Sequence, residues 1–235
     1  MKKVELTFLI CGICFNLLYL NGNGLFEIKY ILMAAVLWFA ASALQLSLHE
    51  IGHLVGGLFS GYNLVFFSVG AVKLSYSQQK RFSISIGKSH GGQCVMEPRN
   101  SESNHYLCYN LGGIFANLLT SLAAAGLLLF DSHIANLLFI NLTCVGVQKI
   151  LLNGIPVIVN GKPSDAYVVK LLSNNKDVQK DYCMYLKLFA SYYREDSIDS
   201  EYYKYYRRLD VAENELLYYR EIQSILAEIN QGVVD

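Results

Sequence analysis

The sequence predicts an α-helical polytopic membrane protein with about four transmembrane helices, the last segment broken. A small β-hairpin layer is expected at the membrane face and a soluble helical tail at the C-terminus. Three observations carry this expectation. Of the 235 residues, 53% are hydrophobic and only 16% charged, where a soluble domain carries about 25% charged residues. The deficit falls in the first two-thirds of the chain, as apolar runs long enough to cross a bilayer. Between the second and third runs the pattern turns to short alternating segments parted by glycines and polar pairs, which reads as strands.

Lys2 and Lys3 precede the apolar run Val4–Leu20, a short first helix. A signal peptide would begin similarly, but no small-x-small cleavage site follows. Asn21-Gly22-Asn23-Gly24 makes a turn,. The second helix runs from about Lys29 to Phe59, longer than the roughly 20 residues a bilayer requires, so it spans with tilt and projects.

Leu64–Val69, Val72–Tyr76, Arg81–Ile86 and Gln93–Met96 are the expected strands of the 61–100 loop. Sheet backbone must keep its polar groups paired or out of lipid. An open edge can pair with an extended peptide, and an ordinary structural loop explains the pattern as well. The third span, about His105–Phe130, opens with Gly112 and Gly113 followed by Asn117. Small residues admit close helix packing, and Asn117 can hydrogen-bond across it. The fourth span, about His133–Leu152, follows a short turn, and His133 is expected to be solvated at its outer end rather than a ligand.

Pro156 and Pro163, with Gly154 and Gly161, forbid a continuous helix beyond Leu152,. Ser164 or Asp165 can then cap a helix through Leu172. From Asn174 onward lie many acidic residues, ten of the seventeen tyrosines, and helical patterning through Leu209, Leu216, Leu217, Ile222 and Ile225. This is a cytoplasmic helical appendage. Its Tyr-rich face either binds a partner or packs between its own helices. The organisation is thus a membrane-embedded core over 1–173, with 4–20 accessory and 61–100 a β-rich cytoplasmic loop, and a tail over 174–235.

Lys2, Lys3 and the basic residues of the 60–104 loop (Lys73, Lys80, Arg81, Lys88, Arg99) fall on one side, and the 131–133 turn has none. The positive-inside rule places both termini in the cytoplasm of a multi-pass cell-membrane protein. Nineteen basic residues balance nineteen acidic ones, and no basic cluster occurs, so nucleic acid is excluded as a partner. Cys11 and Cys14 form a C-x-x-C inside an apolar run. A zinc ribbon or redox pair is the alternative to small apolar residues in a helix, which is the preferred reading.

The chemistry concentrates in His49-Glu50-Ile51-Gly52-His53. On a helix the two histidines lie about one turn apart on one face and can share a zinc ion, with Glu50 beside it as a base toward water. A satisfied pair of core histidines is the plainer reading. The motif lies among Leu44, Leu46, Leu48, Leu54, Val55 and Leu58, however, where an ionisable group is a functional-site hypothesis by default. A catalytic zinc site needs a third protein ligand and one open position. Asp165 is the candidate for that ligand, and a helix cap is its other reading.

The order of these residues resembles the site-2 protease family of intramembrane zinc metallopeptidases. The likeness rests on H-E-x-x-H in a spanning helix, a hairpin-rich loop, Gly113-x-x-x-Asn117, then Asn153-x-x-Pro156 ending in Ser164-Asp165, and covers roughly residues 30–172. The resemblance implies one zinc held by His49, His53 and Asp165, with Glu50 the catalytic base. It implies that Asn153 positions substrate or donates to the oxyanion, and that Asn117 braces the core. Three departures stand out. Ile114 occupies a position where the family often has proline, Asp165 lies further beyond Pro156 than usual, and Asn160-Gly161 occupies the nearer position. Asparagine is a poor zinc ligand, which keeps Asp165 as the choice.

The implied activity is intramembrane endopeptidase cleavage of a membrane-associated peptide or protein. A compact core without a PDZ-like insertion points to maturing or clearing a short peptide precursor. The alternatives are a non-catalytic scaffold, binding a transporter or regulator through its tail, and a metal transporter or sensor. An intact Glu50 weighs against the first, and the scarcity of further polar residues along the spans weighs against the second.

Overall fold

The computed structural model describes residues 2–76, 82–87, 91–99, 105–128, 132–159, 162–174 and 176–194. Asn160, Gly161 and the patterned tail beyond 194 lie outside these. The elements in chain order are α1 (Lys2–Gly22), α2 (Ile28–Phe59), β1 (Tyr62–Val69), β2 (Val72–Ser75), β3 (Ser83–Ile86) and β4 (Gly92–Pro98). Then follow α3 (Tyr106–Gly126), α4 (His133–Gly154), β5 (Ile158–Val159), β6 (Lys162–Pro163), α5 (Asp165–Asn174) and α6 (Lys176–Arg194). The described protein is mostly helical with a small antiparallel sheet. Among the described residues three helices, α2, α3 and α4, are long and apolar enough to cross a membrane, and α1 carries the apolar stretch Leu6–Gly22. The third helix ends at Gly126, earlier than Phe130, its end tightening as Leu127 N and Leu128 N donate to Ala124 O and Ala125 O, three residues back,.

Contacts divide the chain into two units, Met1–Gly52 with Gly113–Ile155, and His53–Gly112 with Pro156–Asp235, the division falling within α2 and within α3. In the first unit α1 packs on α4. Leu20, Ala34 and Leu137 form its small apolar centre. Asn16 and Asn141 meet there: Asn16 Nδ2 donates to Asn141 Oδ1 at 2.7 Å, and Asn141 Nδ2 to Ala34 O at 3.2 Å. Polar pairs of this kind hold apolar helices together where burial alone does not. The remaining faces are apolar and exposed, Phe39 and Leu18 among them.

The second unit is built on a four-stranded antiparallel sheet in the order β3-β2-β1-β4. Gly70, at φ +58°, turns β1 into β2 so that Val69 faces Val72. The left-handed backbone there is what glycine adopts without penalty. Each expected strand is observed, with β1 beginning at Tyr62, β2 ending at Ser75, β3 beginning at Ser83 and β4 running from Gly92 to Pro98. A bulge between Leu64 and Phe66 admits the extra residue Val65,. Tyr62, Val65, Phe66, Cys94 and Met96 from the sheet join Tyr109, Val168 and Leu172 in one core, and Tyr182, Tyr185, Leu186 and Phe189 of α6 complete it. The first tyrosines after Asn174 are therefore packing residues of this unit.

Candidate metal centre

His49 and His53 stand one turn apart on α2, both buried, as is Glu50 between them. No proline interrupts this helix, so the i, i+4 spacing becomes a shared face. Each imidazole is oriented through Nδ1. His53 Nδ1 lies 2.7 Å from Tyr109 O, a backbone carbonyl that can only accept, so Nδ1 carries a proton and, in the neutral imidazole, Nε2 carries the lone pair,. His49 Nδ1 lies 2.7 Å from Asn117 Oδ1. The Asn117 amide cannot be reversed, because its Nδ2 donates to Gln45 O at 2.9 Å and to Gln45 Oε1 at 2.7 Å. Both histidines thus offer Nε2, with Nδ1–H committed elsewhere, which is how metal-binding imidazoles are commonly held.

The third candidate arrives from α5. After α4 the chain forms the two-residue strands β5 and β6, as the prolines and glycines there require. Ser164 then caps α5: its Oγ accepts from Tyr167 N and from Val157 N, each at 3.2 Å. Ser164 is the capping side chain, and Asp165 stands in the first turn of the helix that it starts. Asp165 Oδ2 lies 3.5 Å from His53 Nε2. In a tetrahedral zinc site with bonds of about 2.0–2.1 Å, two ligand atoms lie about 3.3 Å apart. His49, His53 and Asp165 each present a ligand atom, all within 4.8 Å of one another. Two buried imidazoles and a half-buried carboxylate can hold a divalent metal ion.

No family model, curated protein or solved structure matches the chain. The case for the site therefore rests on its own geometry.

Asn153 lies in the last turn of α4, where its Nδ2 donates to Lys149 O at 3.1 Å, one turn back. His133 pairs with Tyr19, Nδ1 to the phenol oxygen at 3.1 Å, at an exposed position. Two contributors lack a clear motif. The Tyr109 carbonyl has no sequence signature, since any residue on α3 would supply one. Gln45 has a weak signal: a primary amide in an apolar helix, one turn before His49. Gly56 is a third. A Cβ there would collide with Cys108 O, so the glycine lets α2 approach the α3 backbone beside Tyr109.

Proposed function

We propose that this chain is a zinc-dependent intramembrane endopeptidase of the site-2 protease type, spanning the cell membrane several times with both termini cytoplasmic. The observation that carries the proposal is the convergence of His49, His53 and Asp165, with Glu50 buried one residue from the first ligand. A structural pair of core histidines explains the two Nδ1 acceptors as well, but not why a carboxylate from a distant helix joins both rings with its ligand atom within 4.8 Å. The donor set suits zinc, and the three apolar helices around the motif suit a bilayer.

Bound there, zinc lowers the pKa of water toward about 7 and polarises a carbonyl. Everything else falls to side chains of this chain. His49, His53 and Asp165 hold the ion. Glu50 accepts the proton of the attacking water and returns it to the leaving amine. Asn153 retains an N–H beyond the one it gives Lys149, and we assign it to the developing oxyanion,. A helical substrate hides its carbonyls in hydrogen bonds, so it must unwind or arrive extended, and the sheet of the second unit offers an edge for an extended strand. Its class would be a membrane-associated peptide, with a short precursor favoured by the compact core.

Glu50→Gln is the deciding variant. Comparison of membrane and secreted peptides by mass spectrometry between wild-type and variant cells is expected to reveal precursors that persist only in the variant. Cleavage should fall on the order of 100- to 10,000-fold, the usual worth of a general base, while bound zinc stays at one equivalent. A zinc-loaded variant that cleaves at full rate would sink the mechanism. Identical peptide profiles and cellular behaviour in the two strains would favour the scaffold reading instead.

A further inference from the structure

We propose that Gln45 is a positioning residue for the metal centre: acting through Asn117, it fixes which nitrogen of His49 is offered to the ion. The inference rests on the metal-centre reading of His49, His53 and Asp165 and adds to it a residue one turn upstream.

Gln45 is completely buried in α2. A primary amide in an apolar interior is costly unless its hydrogen-bonding groups are used. Here they are used in one sense only. Gln45 Nε2 donates to Leu142 O at 2.9 Å, and Oε1 accepts from Asn117 Nδ2 at 2.7 Å and from Thr120 Oγ1 at 3.0 Å.

The carbonyl of Leu142 can only accept, so Nε2 must face it and Oε1 must face Asn117. Asn117 must then present Nδ2 to Gln45, which leaves Oδ1 toward His49 Nδ1 at 2.7 Å. An acceptor at that position keeps the proton on Nδ1 and the lone pair on Nε2. Donor and acceptor alternate without a reversible link from a backbone carbonyl on α4 to the imidazole. Gly146 leaves space for this arrangement: a Cβ there would collide with Ser121 Oγ and come within 2.7 Å of Gln45 Nε2.

His53 makes the contrast. Its Nδ1 is held by a main-chain oxygen, which no side-chain substitution removes. His49 depends on two consecutive side-chain amides and is the ligand whose orientation sequence can tune. The dependence on Gln45 is partial, because the main-chain oxygen of residue 45 also accepts from Asn117 Nδ2 at 2.9 Å.

The test measures zinc affinity of the full chain in detergent micelles by competition with a chromophoric chelator. Loss of a hydrogen-bond partner of a ligand costs roughly 10- to 100-fold in affinity, and Asn117→Leu should fall in that range. Gln45→Met keeps the volume and removes the amide. It should cost less, about 3- to 10-fold, given the remaining acceptor. Because Gln45 acts through Asn117, the double variant should bind no more weakly than Asn117→Leu alone. Gln45→Glu, protonated in this interior, can donate to Leu142 O and accept from Asn117, so it should recover affinity to within about twofold of wild type.

Wild-type affinity in Gln45→Met, full addition of its loss to that of Asn117→Leu, or equal losses in Gln45→Met and Gln45→Glu would each overturn the proposal. If Gln45→Met does not fold, Gly146→Ala crowds the same amide from the opposite side and should show the same non-additive loss, its absence again overturning the proposal. A wild-type chain that binds no zinc would instead remove the metal centre itself, and that failure is separable from the others.

Discussion

Tyr109 shows how one residue can serve the fold and the site through different atoms. Its main-chain oxygen holds His53, while its hydroxyl donates to Cys94 O at 2.8 Å and its ring stacks on Tyr62 at 5.1 Å. Substitution by phenylalanine removes only the hydroxyl. Tyr109→Phe should therefore lose about 1 kcal/mol of stability. Its zinc affinity should stay within about twofold of wild type, since the affinity losses described for ligand partners follow from removing the partner itself. Thermal melting and chelator competition on the same preparation check both halves. A large affinity loss with unchanged melting would show that the phenol, not the carbonyl, supports the centre. His49, Glu50 and His53 were legible in the sequence because a fixed spacing on one helix fixes a shared face. The Tyr109 carbonyl was not, because a main-chain acceptor carries no residue identity.

At the scale of the element, the centre depends on how α5 begins. Asp165 reaches His53 only because Ser164 stops the preceding turn and starts the helix at that point, with Tyr167 N and Val157 N both bound to its hydroxyl. By sequence either Ser164 or Asp165 can cap α5, since both side chains accept from backbone N–H groups. What separates them is the extended stretch at Val157, whose N–H the Ser164 hydroxyl also accepts, a long-range relation that local propensity does not contain. Ser164→Ala should cost about 1 kcal/mol, within the roughly 0.5–2 kcal/mol span for lost caps. It should also weaken zinc binding, because the carboxylate loses the element that aims it. Melting and zinc titration of this variant would show the two losses together. Destabilisation with unchanged affinity would mean that Asp165 is held by something other than its cap. The four strands, by contrast, were readable nearly residue by residue, since alternation and glycine-marked turns are local signals.

At the scale of the whole molecule the number of spans turns on α1. Among the described residues three helices meet the length and apolarity needed to cross a bilayer, and the apolar stretch described in α1 is Leu6–Gly22. Yet α1 as a helix runs Lys2–Gly22, which at about 1.5 Å per residue reaches roughly the 30 Å of a hydrocarbon core. Its pairing with α4 through Asn16 and Asn141 is a buried polar contact between two otherwise apolar helices. A helix at the short end of the spanning range is accommodated by local thinning of the bilayer. Hydropathy read along one segment scores each run alone and ignores the neighbour that accepts from Asn16. Parity then makes the two counts distinguishable. Four spans place both termini on the same face, and three place them on opposite faces. Fusing a compartment-sensitive reporter to residue 1 and, separately, to residue 235 should give cytoplasmic signal at both ends, with a reporter at 132–133 silent there. Opposite signals at the two ends would make α1 peripheral, and the topology proposed from the lysines and arginines would be inverted for the N-terminus.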